Sequence, residues 1–285
     1  MTVIIIQNMI HDKPLALPIK QIIIENERVK TFVIDGEMDF KPGQFTMCWI
    51  PGFDEKPFGL VSRKKGEFMI TVAAVGTSTR ALHMMEVGDM LGLRGPFGSA
   101  FALPVSGSIG LIAGGYGIAS LFNLAKEARE KGIDVHVFLG ARNKDEFLYL
   151  DWMKELGAEL HLSTDDGSAG FKGFNVQVFE DWVKNKGGSK GGMLSKVYTV
   201  GPEIMEMKVA DICYANNIPF EVSLERYMKC GFGICGQCCV DPVGWRMCVE
   251  GPVIDGEKLK QITEFGNYHR TASGRVEKYP WNKDK

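Results

Sequence analysis

The run Gly110-Leu-Ile-Ala-Gly-Gly-Tyr-Gly-Ile-Ala-Ser-Leu121 reads as a buried strand that enters a glycine turn and leaves as a helix. Glycines permit the sharp turn and bring backbone close to a ligand, while the helix start offers N–H donors to a phosphate. Gly114, Gly115 and Gly117 are the candidate nucleotide contacts. The motif is not a full G-x-G-x-x-G, because Ser120 stands at the third glycine. No acid follows about twenty residues later to grip a ribose, and the next strand ends at Ala141-Arg142. A tight strand–helix turn with no ligand is the competing reading.

Downstream, Ser108–Ala113, Asp134–Leu139, Glu159–Ser163 and Val197–Val200 read as strands, the last of them closing the series. They alternate with helical stretches at Ser120–Lys131, Glu146–Leu156 and Asn175–Lys184, which predicts a doubly wound parallel sheet. Gly201-Pro202 is a second turn on the same carboxyl edge, where such sheets bind ligands. Upstream, short alternating or β-branched runs recur at Val3–Ile6, Ile19–Glu25, Val29–Ile34, Phe45–Ile50 and Phe68–Ala73. Pro and Gly punctuate them, which suits a small antiparallel barrel carrying one helix, Thr77 to Met85. The tract Asn185–Gly192 reads as a flexible solvent loop.

The chain has 285 residues, 45% hydrophobic and 24% charged, with net charge −2, so disorder, coiled coil and a basic nucleic-acid or membrane footprint are all disfavoured. Gly110 to Ala125 falls short of a bilayer span, and Met1-Thr2-Val3 shows no basic signal region, so the cytoplasm is the expected compartment. The expected division is 1–102 barrel, 103–223 nucleotide domain, 224–256 cysteine-rich segment and 257–285 tail.

Of seven cysteines, five crowd between Cys230 and Cys248. Cys230-x4-Cys235-x2-Cys238, with Cys248 following, is the plant-type spacing of a [2Fe–2S] cluster. Gly231, Gly233 and Gly236 let backbone N–H groups turn toward sulfur. Zinc on four thiolates is the rival, although a zinc ribbon favours two C-x2-C pairs. Cys239 reads as a bystander that could replace Cys238 if the loop ran differently. His11, His83, His136, His161 and His269 show no metal spacing.

Barrel, Gly-Gly-x-Gly domain and a Cys cluster closed by Cys248-Val-Glu-Gly-Pro-Val-Ile254 together resemble the ferredoxin–NADP⁺ reductase superfamily. Pro42-Gly-Gln-Phe45, Leu224-Glu-Arg-Tyr-Met-Lys-Cys-Gly231 and Thr263-Glu-Phe-Gly-Asn-Tyr-His-Arg270 resemble most closely the electron transfer subunits of type B dihydroorotate dehydrogenases. The resemblance implies that Lys56-Pro57-Phe58-Gly59 sits where the family has an Arg-Pro-aromatic-Ser segment holding FAD. Lys56 can neutralise a diphosphate without Arg's bidentate fork. Gly59 lacks the hydroxyl that approaches the flavin in relatives, so a backbone N–H or a group such as Ser62 would have to serve.

By the same resemblance, Thr71-Val72-Ala73 runs along the flavin, and Gly76, Ser78 and Thr79 form a diphosphate turn, with an ordinary helix cap as the alternative. Asp165 lines the pyridine-nucleotide site, and Gly201 and Pro202 match the family's Cys-Gly-Pro with Val200 in the Cys position. Arg142 meets a 2′-phosphate or is plain surface, which leaves NAD against NADP open. The implied activity is electron transfer between NAD(H) or NADP(H), FAD and a [2Fe–2S] cluster, and on to an FMN-containing dihydroorotate dehydrogenase chain in a hetero-oligomer. No acid–base constellation for organic substrate chemistry is visible, so the catalytic residues stay unassigned. The alternatives are the flavin/iron–sulfur subunit of an NADH-dependent ferredoxin:NADP⁺ oxidoreductase or sulfhydrogenase, and a zinc-stabilised nucleotide-sensing module.

Overall fold

The structure is a computed structural model and describes residues 11–186 and 193–282. The expected strand Val3–Ile6 and most of the Asn185–Gly192 tract lie outside those residues. Six antiparallel strands close a barrel in the order β1-β2-β5-β4-β3-β6. They are β1 (His11–Asn26), β2 (Val29–Asp35), β3 (Phe45–Trp49), β4 (Glu55–Lys64), β5 (Glu67–Ala73) and β6 (Met90–Phe97). In β5, Phe68, Ile70 and Val72 point into the barrel core, while Met69, Thr71 and Ala73 face outward, as the two-residue period dictates.

The outward face is covered rather than wetted. Val29 and Val61 of the barrel share a buried cluster with Leu111, Ile118 and Tyr149 of the following domain. Helix α1 (Thr77–His83) is capped at Gly76, whose N–H donates to Thr79 Oγ1 at 2.8 Å. It stops two residues short of the expected end at Met85.

The second domain is a seven-stranded sheet in the order β10-β9-β8-β7-β11-β12-β15. Its strands are β7 (Ser108–Gly114), β8 (Asp134–Ala141), β9 (Glu159–Thr164), β10 (Phe171–Lys172), β11 (Lys196–Val200), β12 (Phe220–Ser223) and β15 (Val253–Asp255). The helices are α2 (Ile118–Glu130), α3 (Leu150–Glu155), α4 (Asn175–Lys186) and α5 (Glu203–Ala215). Chain order reverses between β7 and β11, so the carboxyl ends of those two strands flank the switch-point crevice. Two short strands, β13 (Cys239–Val240) and β14 (Trp245–Arg246), form a hairpin inside the cysteine-rich segment.

Two local expectations need correction. Val197–Val200 does not close the series: β12 follows it in parallel, and β15 then pairs antiparallel with β12. The helix expected over Glu146–Leu156 spans only Leu150–Glu155, because Tyr149 adopts φ 62° and its ring enters the domain seam. The segment beyond Leu224 lacks periodicity yet buries Met228, Cys238, Val240, Met247 and Cys248 against Phe45, Met47 and Phe97 of the barrel. Irregular backbone hides this core from a periodicity test, since no repeating spacing marks its inward side.

Candidate functional site

The cysteine loop begins and ends on one sheet edge, because β12 leads into it and β15 returns beside β12. Leu224 N–H donates to Pro252 O at 2.9 Å and closes the neck. Gly231, Gly233 and Gly236 take φ of +82°, +87° and +67°, a region L side chains rarely adopt. Two of them are also packed: a Cβ on Gly231 would stand 2.6 Å from Met47 Cγ, and one on Gly233 would stand 2.7 Å from Val249 Cγ2. The barrel holds the loop from the other side, where Arg94 Nη2 donates to Cys230 O at 2.9 Å. The Arg94 guanidinium also lies 5.3 Å from the Phe232 ring centroid.

Backbone donors converge on the sulfurs. Cys248 N lies 3.4 Å from Cys238 Sγ, and Gln237 N lies 3.5 Å from Cys235 Sγ. Burial alone would raise the Cys230 thiol, but hydrogen bonds from the backbone of Cys235, Phe232 and Ile234 outweigh it and bring the group down to about 6. A hydrogen bond with the Cys248 side chain lowers Cys238 to about 7. Cys238 and Cys248 are buried, whereas Cys235 is exposed at the loop tip. An all-thiol donor set with N–H groups aimed at sulfur suits a thiolate-ligated cluster. Cys239 is half-buried and lines a cavity together with Cys235, Gly236, Gln237, Asp241 and Arg270.

Both nucleotide turns meet. A Cβ on Gly114 would stand 2.6 Å from Pro202 Cδ, and one on Gly201 would stand 3.0 Å from Gly114 N. A Cβ on Gly117 would collide with the Val200 carbonyl oxygen, so the helix can start this close to β11 only with glycine there. Gly115, at φ +53°, faces open space. Asp165 lies at the carboxyl end of β9, its N–H donating to Ala141 O at 3.1 Å beside Arg142. Arg142 itself is paired with Glu146 at 2.6 Å. Beneath Gly201, Glu206 accepts that residue's N–H at 3.1 Å. Burial, and secondly the Glu203 charge, push its carboxyl well above the usual range.

Along the barrel–domain seam, Lys56 Nζ pairs with Asp54 at 2.7 Å and lies 5.3 Å from the Tyr227 ring centroid, linking β4 to the cysteine-rich segment. Pro57 and Phe58 continue β4, with Phe58 packed on the barrel core. Gly59 faces α2, where Ser120 Oγ is 2.7 Å from the position of an added Cβ. Thr71 hydrogen-bonds Thr31 at 2.8 Å and the Tyr149 hydroxyl. The Val72 side chain is buried inside the barrel, and Ala73 packs against the nucleotide domain. Thr79 Oγ1 is engaged by the N–H groups of Val75 and Gly76, while Ser78 lies in the first turn of α1. Ser62 is only 3% exposed.

Sequence reasoning missed Tyr149, Tyr227, Glu206 and Arg226. Arg226 is buried and pairs with Glu203 at 2.7 Å and Glu264 at 2.5 Å, joining α5, the cluster loop and the tail. Its place in the alternation with apolar Leu224 and Met228 was the available signal. Tyr149 had none.

The segment 225–260 matches the family model for the iron–sulfur cluster binding domain of dihydroorotate dehydrogenase B, and 111–211 matches that of the oxidoreductase NAD-binding domain. A probable dihydroorotate dehydrogenase B (NAD(+)) electron transfer subunit from Methanocaldococcus jannaschii is 47% identical, covering 93% of this chain and 98% of its own length. The chain belongs to the dihydroorotate dehydrogenase B electron transfer subunit family. A relative of the same description from Pyrococcus horikoshii is 43% identical over 88% of this chain and 93% of its own. Among solved structures, one described as an NADH-dependent reduced ferredoxin-NADP oxidoreductase is 30% identical, with TM-score 0.76 over 88% of this chain and 94% of that one.

Membership in this family makes the chain an NAD(P)H-dependent oxidoreductase subunit that carries FAD and a [2Fe–2S] cluster. It also answers the zinc alternative, since the matched cysteine domain is an iron–sulfur one. Among the described residues, no helix is long and apolar enough to cross a membrane.

Proposed function

We propose that this chain takes electrons from a pyridine nucleotide and delivers them singly, through Cys230, Cys235, Cys238 and Cys248, to an FMN-containing dihydroorotate dehydrogenase chain in the cytoplasm. When bound, FAD and the cluster would convert the two electrons of one hydride into single electrons. The chain's own residues position them. Gly114, Gly115, Gly117, Gly201 and Pro202 shape the nucleotide crevice, with Asp165 at its rim. Lys56, Pro57, Phe58, Gly59, Thr71, Val72 and Ala73 form the flavin wall, Lys56 offering the positive charge and Val72 only its backbone. Gly76, Ser78 and Thr79 shape the adjoining turn. The working units are the barrel to residue 102, the nucleotide domain to 223, the cluster segment to 256 and the tail.

One observation carries the reading of a partner. Cys235 is exposed at the tip of the cluster loop, and Phe232, Ile234 and Val249 beside it expose apolar surface. Ile234 is 76% exposed, a burden for a free surface but suited to a docked redox partner that must approach the cluster. Anaerobic purification of the tagged chain from its own cells tests this. Recovery of a dihydroorotate dehydrogenase catalytic chain, lost in Ile234→Asp, is the expected result. Recovery of a ferredoxin:NADP⁺ oxidoreductase or hydrogenase subunit instead would support the second reading, which the 30% identical solved structure favours.

A further inference from the structure

Twenty-five positions separate His136 from His161, and nothing in that spacing suggests a shared ligand. Sheet register brings them together. His136 on β8 is the direct partner of Glu159 on β9, and Phe138 is the partner of His161. Residues two apart on a strand share a face, so His136, Glu159 and His161 all project to one side, the side that α4 covers with Trp182 and Phe179. Phe138 stacks on His161 with centroids 4.5 Å apart, and Trp182 lies 5.0 Å from His136, so both imidazoles are held by aromatic packing.

The Glu159 carboxylate stands between the two rings. One oxygen is 3.3 Å from His136 Nδ1 and the other is 3.3 Å from His161 Nε2. All three donors lie within 4.8 Å of one another. A zinc ion with bonds of about 2.1 Å holds tetrahedral ligands about 3.4 Å apart. Each imidazole stands at that spacing from one of the two carboxylate oxygens, so a small turn of the carboxylate and closure of the rings bring all three groups onto one ion. The histidine side chains are 14% and 16% exposed, while Glu159 is 52% exposed and leaves an entrance for a cation and a water.

We propose that His136 Nδ1, His161 Nε2 and a Glu159 oxygen bind one divalent transition cation, zinc in preference, with the fourth position open to water. Two neutral imidazoles and one carboxylate form a borderline donor set that favours zinc over calcium or magnesium. The ion sits near the amino ends of β8 and β9, whereas the nucleotide turns lie at the carboxyl ends of the sheet. It ties two strands together under α4 and takes no part in electron transfer. This assignment does not depend on the partner proposed above.

Zinc uptake by the flavin- and cluster-loaded protein tests it, because a filled cluster occupies the thiols that would otherwise scavenge zinc. After equilibration with micromolar zinc, one equivalent is retained, and X-ray absorption shows a nitrogen/oxygen shell at about 2.0–2.1 Å without sulfur. Glu159→Gln, at a half-exposed position, and His161→Asn each weaken retention at least about tenfold while leaving flavin and iron content unchanged. Absence of zinc from the wild type, a sulfur shell near 2.3 Å, or equal retention by Glu159→Gln would overturn the assignment.

Discussion

Ser120 Oγ stands 2.7 Å from the point that a Cβ on Gly59 would occupy, so a nucleotide-domain helix fills space that a barrel-strand side chain would otherwise take. The two positions are therefore coupled across the domain seam. Gly59→Ala forces the Ser120 hydroxyl to rotate away and is expected to destabilise by about 1 kcal/mol, the low end for overpacking because one short side chain can yield. Combining it with Ser120→Gly should recover most of that loss. Chemical denaturation of the four proteins in the cycle measures the coupling; strict additivity would show that the contact carries no energy.

Cysteines 238 and 239 separate cleanly. Cys238 is buried and receives the Cys248 N–H, whereas Cys239 is half-buried and accepts no such bond among those described. Cys239→Ser should keep full iron and acid-labile sulfide content and the visible absorption of the cluster. Cys238→Ser should lose both. Equal loss in the two variants would mean that the loop runs differently around the metal.

Arg226 holds three parts of the chain with one guanidinium. Its partner Glu264 is buried and Glu203 is half-buried, and Tyr279 reaches Glu203 at 2.8 Å. Arg226→Met leaves two carboxylates without their cation, a defect that costs about 3–5 kcal/mol. Limited proteolysis should then release the tail after Asp255 far faster than in the wild type.

Glu206 gives stability a pH slope of its own. Its folded carboxyl titrates above the ordinary value of 4.5, so in this region the native state binds a proton that the unfolded chain has lost. Its contribution is fully present below pH 4.5 and is lost as pH rises through the folded value. Glu206→Gln keeps an acceptor for the Gly201 N–H and removes the titration. The variant should gain stability over the wild type as pH rises above 4.5, and the gain should level off once pH passes the folded value. Parallel melting curves across that range would refute the assignment.

Cysteine spacing and the glycine run at 110–121 were readable in the chain alone because both are local. A cluster loop needs its ligands and glycines within a few residues, and a strand–turn–helix needs only its own backbone. Barrel and doubly wound sheet were legible for the same reason, through short-range alternation. The tertiary structure alone decided what depends on register and packing: Ser120 filling the space beside Gly59, Arg226 reaching Glu264, and β8 setting His136 opposite Glu159. The histidine–glutamate pair is fixed by strand register, and a one-residue slip of β9 would turn Glu159 and His161 to the other face. The other two pairs are fixed by how a helix and an irregular loop pack on their neighbours.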